Sequence, residues 1–534
     1  MTTLVPALVL MAPSLIFLAG LLSPRWRDAR LAAQLGAAAA WVAFGCAVMV
    51  ALGHALAPAS VWTLAALGLP ANIGSFSLSV QVNGVTVIML LLVSFVGAIV
   101  SHYARNYLDG DAQQARFHRW LAYTLASILT LIVSGNLLMF SLAWIATSLG
   151  LHQLLMFYRE RPAAVLAAHK KFIASRIGDV SLLIAIVLIG STLHTLEFGE
   201  LYARMAAWQG PLPATLEAAA LLIVFSAGLK SAQFPLHGWL IQVMEAPTPV
   251  SALLHAGIVN AGAFLVIRMS PIVSHSGTAL AVLAIVGLIT LSLASLVMLT
   301  QTSIKVSLAW STTAQMGFML LECGLGLYSL AMLHLVAHSL YKAHAFLASG
   351  SGVDGFRAPA LAWPQHEWRP GWLLLALVMG ATVTAAMAAL FAVSWQAQPA
   401  LMAAGAIVAI AVAQLQLQTM TALGVPSMGY ALALSGVVAG AYFLLHALFE
   451  RMVGGSVLPL VPAVTAVQSA LIVPVVIVFL LLMLFQHGLT ATGSRMREAL
   501  WVHLYNGLYI DVFVTRLLQR VWPAPNTIAQ GVGK

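Results

Sequence analysis

Apolar residues in this chain come in long blocks, at 4–22, 31–52, 84–103, 120–134, 137–157, 172–192, 215–235, 248–268, 278–299, 304–324, 328–349, 371–395, 400–422, 427–449 and 464–487. Each is close to the ~20 residues a helix needs to cross a hydrocarbon layer of ~30 Å. The pattern predicts about fifteen transmembrane helices, because a helix satisfies its own backbone hydrogen bonds where no water can. Between the second and third blocks lies a long uncharged loop, 55–83. After the last block the pattern changes. Leu500, Leu504, Leu508, Val512 and Leu517 recur against Arg497, Asp511, Arg516 and Arg520, which predicts an amphipathic helix over 498–521. Such spacing suits an interfacial helix or a docking surface, and equally a surface helix that touches nothing. The chain divides into a membrane domain, 1–490, and an amphipathic C-terminal tail, 491–534.

Composition sharpens this into an all-α polytopic membrane protein. Of 534 residues 61% are hydrophobic and 7% charged, with a mean hydropathy of +0.97; a soluble domain carries about a quarter charged residues. Cys46 and Cys323 lie in apolar blocks and form neither a disulfide framework nor a metal motif. The first block lacks a basic leader and runs into further spans, so it reads as a retained helix. The net charge of +9 could serve nucleic acid, but the basic residues sit in short links between spans. They cluster as Arg25, Arg27 and Arg30; Arg105, Arg116 and Arg119; Arg159, Arg161, Lys170 and Lys171; Arg357 and Arg369; Arg495 and Arg497. The opposite side carries Arg204, Arg268 and Arg451. The positive-inside rule then places the N-terminus outside and the tail in the cytoplasm, with membrane lipids as partner and no nucleic acid.

Polar exceptions concentrate at 225–268, FSAGLKSAQFPLHGWLIQVMEAPTPVSALLHAGIVNAGAFLVIR. Lys230 lies in an apolar helix that breaks at Pro235. A link follows to Glu245, then Pro247 and Pro249, then a helix with His255 and Asn260. A buried ammonium is expensive unless a partner, water or loss of its proton relieves it. Backbone freed by proline is tolerated where it faces a polar cavity. A kink with a snorkelling lysine would explain part of this; the convergence of polar features favours an ion site. The basic residues expected well inside spans are Arg176, Lys230, Lys305 and Lys342, and the acids are Asp179 and, near helix ends, Glu245 and Glu322. Arg176 and Asp179, three apart, can pair structurally, or Asp179 can tune Lys230. His334, His338 and Lys342 are spaced by four, so they share a face and rise ~6 Å per step as a column suited to a relay. The Gly350–Gly355 stretch fits GxGxxG but follows a membrane helix with no strand before it, so it reads as a helix-ending loop.

The stretch KSAQFPLHGWLIQVMEAPTPVSALLHA closely resembles the antiporter-like subunits of respiratory complex I and of Mrp antiporters. RIGD at 176–179, TQTSIKVSLAWST around Lys305 and HLVAHSLYKAHAFLASGSG on the eleventh helix add to the likeness, which covers roughly 85–450. The resemblance implies two inverted five-helix repeats with broken helices, those of Lys230 and Lys342 among them. It implies ion translocation through Lys230, His255, Lys305, His334, His338 and Lys342, with Arg176, Asp179 and Glu245 tuning the charge. The chain also departs from the respiratory pattern. Their fifth helix carries a glutamate after a tryptophan; here FSLAWIATSLGLHQLLMFY puts Ile145 there, and His152, two turns on, is the expected partial substitute. The twelfth-helix lysine or glutamate is missing, and the long lateral helix is expected to be absent too.

HKKFIASRIGDV at the sixth helix and LLHAGIVNAGAFLVIRMSP at the eighth resemble a subgroup, DabB, the membrane subunit of the DabA–DabB inorganic-carbon pump. That implies a proton- or sodium-conducting subunit of a carbon dioxide or bicarbonate uptake complex in a bacterial inner membrane. The expected partner is a large cytoplasmic zinc protein of DabA type, similar to β-carbonic anhydrases. This chain itself is expected to be no enzyme and to hold no metal or cofactor. The alternatives are a proton-pumping subunit of a respiratory or hydrogenase complex, or a Mrp-type antiporter subunit.

Overall fold

The computed structural model describes residues 4–23, 29–56, 60–70, 73–351, 370–394, 396, 398–423, 425–490 and 495–522. Arg25, Arg27, Arg357, Arg369, residues 352–355 of the glycine motif, the side chain of Arg497 and the end of the tail from 523 lie outside the described residues. Every predicted block is helical, with 248–268 divided into two helices. The order is α1 (Leu4–Leu22), α2 (Ala29–Leu56), a hairpin of β1 (Ser60–Gly68) and β2 (Ser75–Val82), α3 (Gly84–Tyr107), α4 (Gln114–Val133), α5 (Leu137–Leu155), α6 (Pro162–Leu193), α7 (Phe198–Ala206) and α8 (Ala214–Lys230). Then come α9 (Gly238–Gln242), α10 (Thr248–Ala256), α11 (Ala261–Arg268), α12 (Ser270–Val273), α13 (Gly277–Met298), α14 (Ile304–Gly324) and α15 (Tyr328–Leu347). The chain continues with α16 (Pro370–Leu390), α17 (Pro399–Leu423), α18 (Met428–Val453), α19 (Pro462–Thr490), α20 (Arg495–Tyr505) and α21 (Ile510–Val521). Among the described residues eleven helical segments are long and apolar enough to cross a membrane. The protein is an integral membrane protein.

Local chemistry starts these helices where the polar links end. Asn83 caps α3 by accepting from the Thr86 N–H at 3.0 Å, Asn136 caps α5 through the Leu138 N–H at 2.9 Å, and Ser276 caps α13 through the Ala279 N–H at 3.0 Å. Along α6, Ile177, Val180, Ile184 and Val187 form an exposed apolar stripe, while Gly178, Asp179, Leu182 and Ala185 are buried. The helix is apolar towards lipid and mixed towards the bundle, the arrangement a bilayer permits for polar groups.

The segment 55–83 is not the plain loop expected from its lack of charge. β1 and β2 form an antiparallel hairpin. SFSLSVQV alternates polar and apolar side chains with the period of a strand. Glu197 fixes the hairpin to the bundle, accepting from Ser77 Oγ, from Ser79 Oγ at 2.9 Å and from Asn136 Nδ2 at 2.8 Å.

Several charged residues sit elsewhere than expected. α6 begins at Pro162, so Lys170 and Lys171 are buried helix residues and not part of a solvated link. Arg268, assigned to a link, is fully buried at the end of α11, where it donates to Thr86 Oγ1 at 3.2 Å and to the Ser134 carbonyl at 3.0 Å. Lys305, expected deep in a span, is the second residue of α14 and half-buried. The expected single tail helix is two, α20 and α21, because Leu508 and Tyr509 take left-handed backbone conformations with φ of 56° and 60°.

Candidate functional site

The helix carrying Lys230 stops at that residue, five before Pro235. Ser231 caps it and Ala232 turns with a φ of 50°; the Phe234–Pro235 peptide is cis. Pro247 and Pro249 do not break a helix: they flank Thr248 at the start of α10, where a proline lacks no needed donor. The second break is at Gly257, between α10 and α11. The helix of Lys342, α15, is expected to be broken and instead runs continuously, with neither proline nor glycine in YSLAMLHLVAHSLYKAHAFL.

The two breaks pack on one another. Ser231 Oγ donates to the Val259 carbonyl at 2.9 Å, and Asn260 Nδ2 donates to Ser339 Oγ on α15 at 2.8 Å. A Cβ on Gly262 would run into Ser231 Oγ and the Ala227 carbonyl, so only glycine lets α11 approach α8 this closely. Freed backbone groups thus find partners inside the protein, which is how irregular backbone survives at membrane depth.

Around Lys230 the structure gathers a charged cluster. The Lys230 ammonium is buried and lies 4.2 Å from the centre of the Trp144 ring, at the C-terminal end of a helix. The ring face and the partial negative charge of the helix end both favour a cation there. Asp179 is in electrostatic reach of Lys230 and pairs with Arg176 at 2.5 Å. Lys171 is buried beside them, donating to the Ser148 carbonyl at 2.6 Å and to Ser148 Oγ at 2.8 Å. Ile145 packs half-buried against the core. His152 is not brought to Lys230. Its ring lies 5.0 Å from that of Phe172 and faces Lys171 and His169. Glu245 is not brought there either: it forms a largely exposed pair with Arg161 at 3.6 Å.

A second cluster is built on α15. His334, His338 and Lys342 lie along one side of the helix. Lys342, fully buried, donates to the Leu308 carbonyl at 3.0 Å. His255 is fully buried, its ring stacked on Phe346 at 4.4 Å and in electrostatic reach of Lys342. The rings of His338 and His334 are 6.4 Å apart. Among the described residues the ring nitrogens of His255 and His338 and the Lys230 ammonium have no protein hydrogen-bond partner. Buried polar groups left so are costly and mark a polar interior. Lys305 stands at one end, donating to Thr248 Oγ1 at 3.4 Å.

Sequence reasoning missed Lys171 and Gln315, and it named Glu322 only as an acid near a helix end. Lys171 was assigned to a link because two adjacent lysines read as a solvated end. Glu322 holds His334, Nδ1 to Oε2 at 2.9 Å, and Gln315 holds its Nε2 at 2.7 Å. Glu322 and Gln315 are seven apart on α14, a spacing that signals one face. The Ser231–Val259 and Asn260–Ser339 contacts join the two clusters, and no motif announces them.

The family model described as NADH:quinone oxidoreductase/Mrp antiporter, TM, matches residues 134–358, and the one for the N-terminus of complex I chain 5 matches 70–118. The chain is 45% identical to the probable inorganic carbon transporter subunit DabB2 of Halothiobacillus neapolitanus, over 97% of this chain and 94% of that one. It is 46% identical to the probable subunit DabB of Hydrogenovibrio crunogenus over 56% of this chain, spanning 59% of that relative. NADH-quinone oxidoreductase subunit L of Mycobacterium tuberculosis is 34% identical over 66% of this chain, and the match spans 55% of that relative. The solved Mrp complex of Dietzia sp. shares the fold, with a TM-score of 0.58 at 22% identity over 96% of this chain and 61% of that chain. Matched almost end to end by one transporter subunit and across both broken helices by the antiporter-like domain, the chain belongs to the DabB family of inorganic carbon transporter subunits, within the antiporter-like membrane subunits of complex I and Mrp.

Proposed function

We propose that this chain is the cation-conducting membrane subunit of an energy-coupled inorganic carbon uptake complex. Protons or sodium ions pass Lys230 and the column of His255, Lys342, His338 and His334, and their flux drives a large zinc-binding partner of DabA type. The observation that carries this reading is the pair of buried titratable clusters joined through two helix breaks, Ser231 to Val259 and Asn260 to Ser339. Ionisable residues inside a membrane protein are costly and ordinarily serve a pathway. Lys230, at the end of one half-helix, is the switch, and it shares its counter-charge, Asp179, with Arg176.

The chain sits in the bacterial inner membrane with its N-terminus in the periplasm and its tail in the cytoplasm, as the distribution of arginines supports. It performs no chemistry of its own and holds no cofactor; the zinc belongs to the partner.

One charge crossing 100 mV releases about 2.3 kcal/mol, and a tenfold concentration step costs about 1.4 kcal/mol. One ion therefore sustains roughly a fortyfold accumulation of a neutral species trapped as bicarbonate. The test is inorganic-carbon accumulation in cells expressing both subunits, with a protonophore or a sodium ionophore. Lys230→Ala is expected to reach the membrane and to abolish accumulation. Accumulation that survives loss of both gradients, or a wild-type rate in the alanine variant, overturns the reading; sensitivity to one gradient names the ion.

A further inference from the structure

We propose that protons leave the column through Glu322 of α14 and a second row on α18, Tyr442, His446 and Glu450, which replaces the missing charged group of the twelfth helix. This rests on the conduction reading and deepens it by naming the ion and its way out. α16 and α17, PGWLLLALVMGATVTAAMAAL and PALMAAGAIVAIAVAQLQLQTMTAL with its flanking proline, contain no ionisable side chain. A pathway ending at His334 would stop inside the protein.

His334 does not end there. Its Nδ1 meets Glu322 Oε2 at 2.9 Å while Gln315 holds Nε2 at 2.7 Å, so the ring is oriented with one nitrogen on the carboxylate. Glu322 is buried, and His334 is the basic group paired with it among the described residues. A carboxylate at that depth needs a proton of its own or a protonated neighbour. The hydrogen bond between them gives a proton a path from ring to carboxylate. Moving a proton along the hydrogen bond from Nδ1 to Oε2 turns an imidazolium–carboxylate pair into a neutral imidazole and a carboxylic acid, with the net charge unchanged.

Glu322 lies 17 residues beyond Lys305 on one helix, which is ~25 Å along its axis. The row on α15 thus climbs away from the Lys305 end. α18 packs beside α15. Tyr442 on α18 is within electrostatic reach of Glu322, and its hydroxyl is buried without a hydrogen-bond partner among the described residues. His446 and Glu450 follow at intervals of four on the same side of α18, ~6 Å apart along the axis. Tyr442 and His446 are half-buried and Glu450 is exposed. Just beyond, Ser456 Oγ accepts from the Gly84 N–H at 3.0 Å and the Leu458 N–H donates to Ser270 Oγ at 3.1 Å, at the end of the bundle that carries Asn83 and the hairpin. Phenol, imidazole and carboxylate each accept one proton and release another. Their row passes protons and offers no cage of oxygens for a sodium ion.

The experiment uses vesicles containing the complete two-subunit complex, with a pH-sensitive dye inside and an imposed pH gradient. Wild type dissipates the gradient. Glu322→Gln keeps the size and the hydrogen bond but cannot take up a proton, and is expected to slow dissipation at least tenfold; Glu322→Asp restores it. Tyr442→Phe and His446→Ala slow it severalfold, and neither strands a buried charge if Glu322→Gln should fail to assemble. Wild-type proton flux in His446→Ala and in Glu322→Gln, or in His446→Ala alone where the glutamine variant does not assemble, overturns the exit row. Lys230→Ala run in parallel separates the two readings. If it stops flux while those variants do not, the exit is elsewhere; if it too leaves flux unchanged, the conduction reading has failed with it.

Discussion

The tail offers the most quantitative test, because one carboxylate fastens it. Asp511, near the start of α21, accepts from Lys170 Nζ at 2.9 and 2.8 Å and from Gln242 Nε2 at 2.7 Å. The Lys170 side chain is 3% exposed and that of Asp511 28%. Gly238 makes the fit possible: a Cβ there would collide with the Asp511 carboxyl group. Around this bond Trp522 stacks on His169 at 4.0 Å and Gln301 Nε2 donates to the Tyr505 carbonyl at 3.2 Å. α21 therefore clamps α6 to α9, the short helix that follows the Lys230 break. Removing one partner of a buried ion pair costs about 3–5 kcal/mol, because the other charge is stranded. Since Asp511 keeps some contact with water, the low end applies, about 3 kcal/mol, which is roughly a hundredfold in the docking equilibrium. Asp511→Ala should thus raise the undocked fraction about a hundredfold, and trypsin should cut faster at Arg516 and Arg520 in the purified complex, since cleavage of an open state follows its population. Adding Lys170→Met removes the stranded charge and should recover most of the protection. Gly238→Ala should loosen the tail without touching either charge. A wild-type cleavage rate in Asp511→Ala, or no recovery on adding Lys170→Met, would refute the clamp.

Three further outcomes follow from the packing and the composition. Gly262→Val should lower the membrane yield or abolish accumulation, because its side chain meets Ser231 Oγ and the Ala227 carbonyl where the two breaks touch; wild-type uptake would show that this approach is dispensable. Arg268→Ala should lower the thermal midpoint in detergent, and Arg268→Lys should rescue it poorly, since one ammonium cannot reproduce a fork that reaches both Thr86 and the Ser134 carbonyl. The purified chain without its partner should contain no stoichiometric zinc or iron by elemental analysis, and a full equivalent of either metal would contradict the assignment of zinc to the partner.

The helices were legible because hydrocarbon allows little else: every apolar block of sufficient length had to close its own hydrogen bonds. The hairpin was not, because 55–83 lacks charge and a long apolar run, and its period-2 signal in SFSLSVQV is short. Charge misled where a partner lay far away in sequence. Lys170 looked like a solvated end because Asp511 stands 341 residues later. Arg268 looked like a link residue because Thr86 and Ser134 belong to other helices. The column of His334, His338 and Lys342 was legible from spacing within one helix, whereas Glu322, which orients His334, comes from its neighbour. Proline was over-read. Pro247 and Pro249 start a helix, and the second break comes at Gly257.

The departure at the fifth helix is best understood from the cluster that replaces it. With Ile145 after Trp144, Lys230 meets the face of the indole at 4.2 Å. A desolvated cation–π contact is worth about 2 kcal/mol and a helix end at most about as much again. Burying an ammonium costs several kcal/mol, so a carboxylate is still required. Asp179 supplies it from α6, but Arg176 holds the same carboxylate at 2.5 Å and Lys171 lies within its field. One acid is thus divided among three basic side chains. The counter-ion of Lys230 is thus shared with two neighbours of its own helix, α6. Any change in the proton load of Lys230 must then alter how firmly Arg176 and Lys171 are held. Lys171 is bound to Ser148 on α5 and adjoins Lys170, which the tail grips through Asp511. The charge state of Lys230 and the seating of the tail are linked through two consecutive residues of one helix, Lys170 and Lys171.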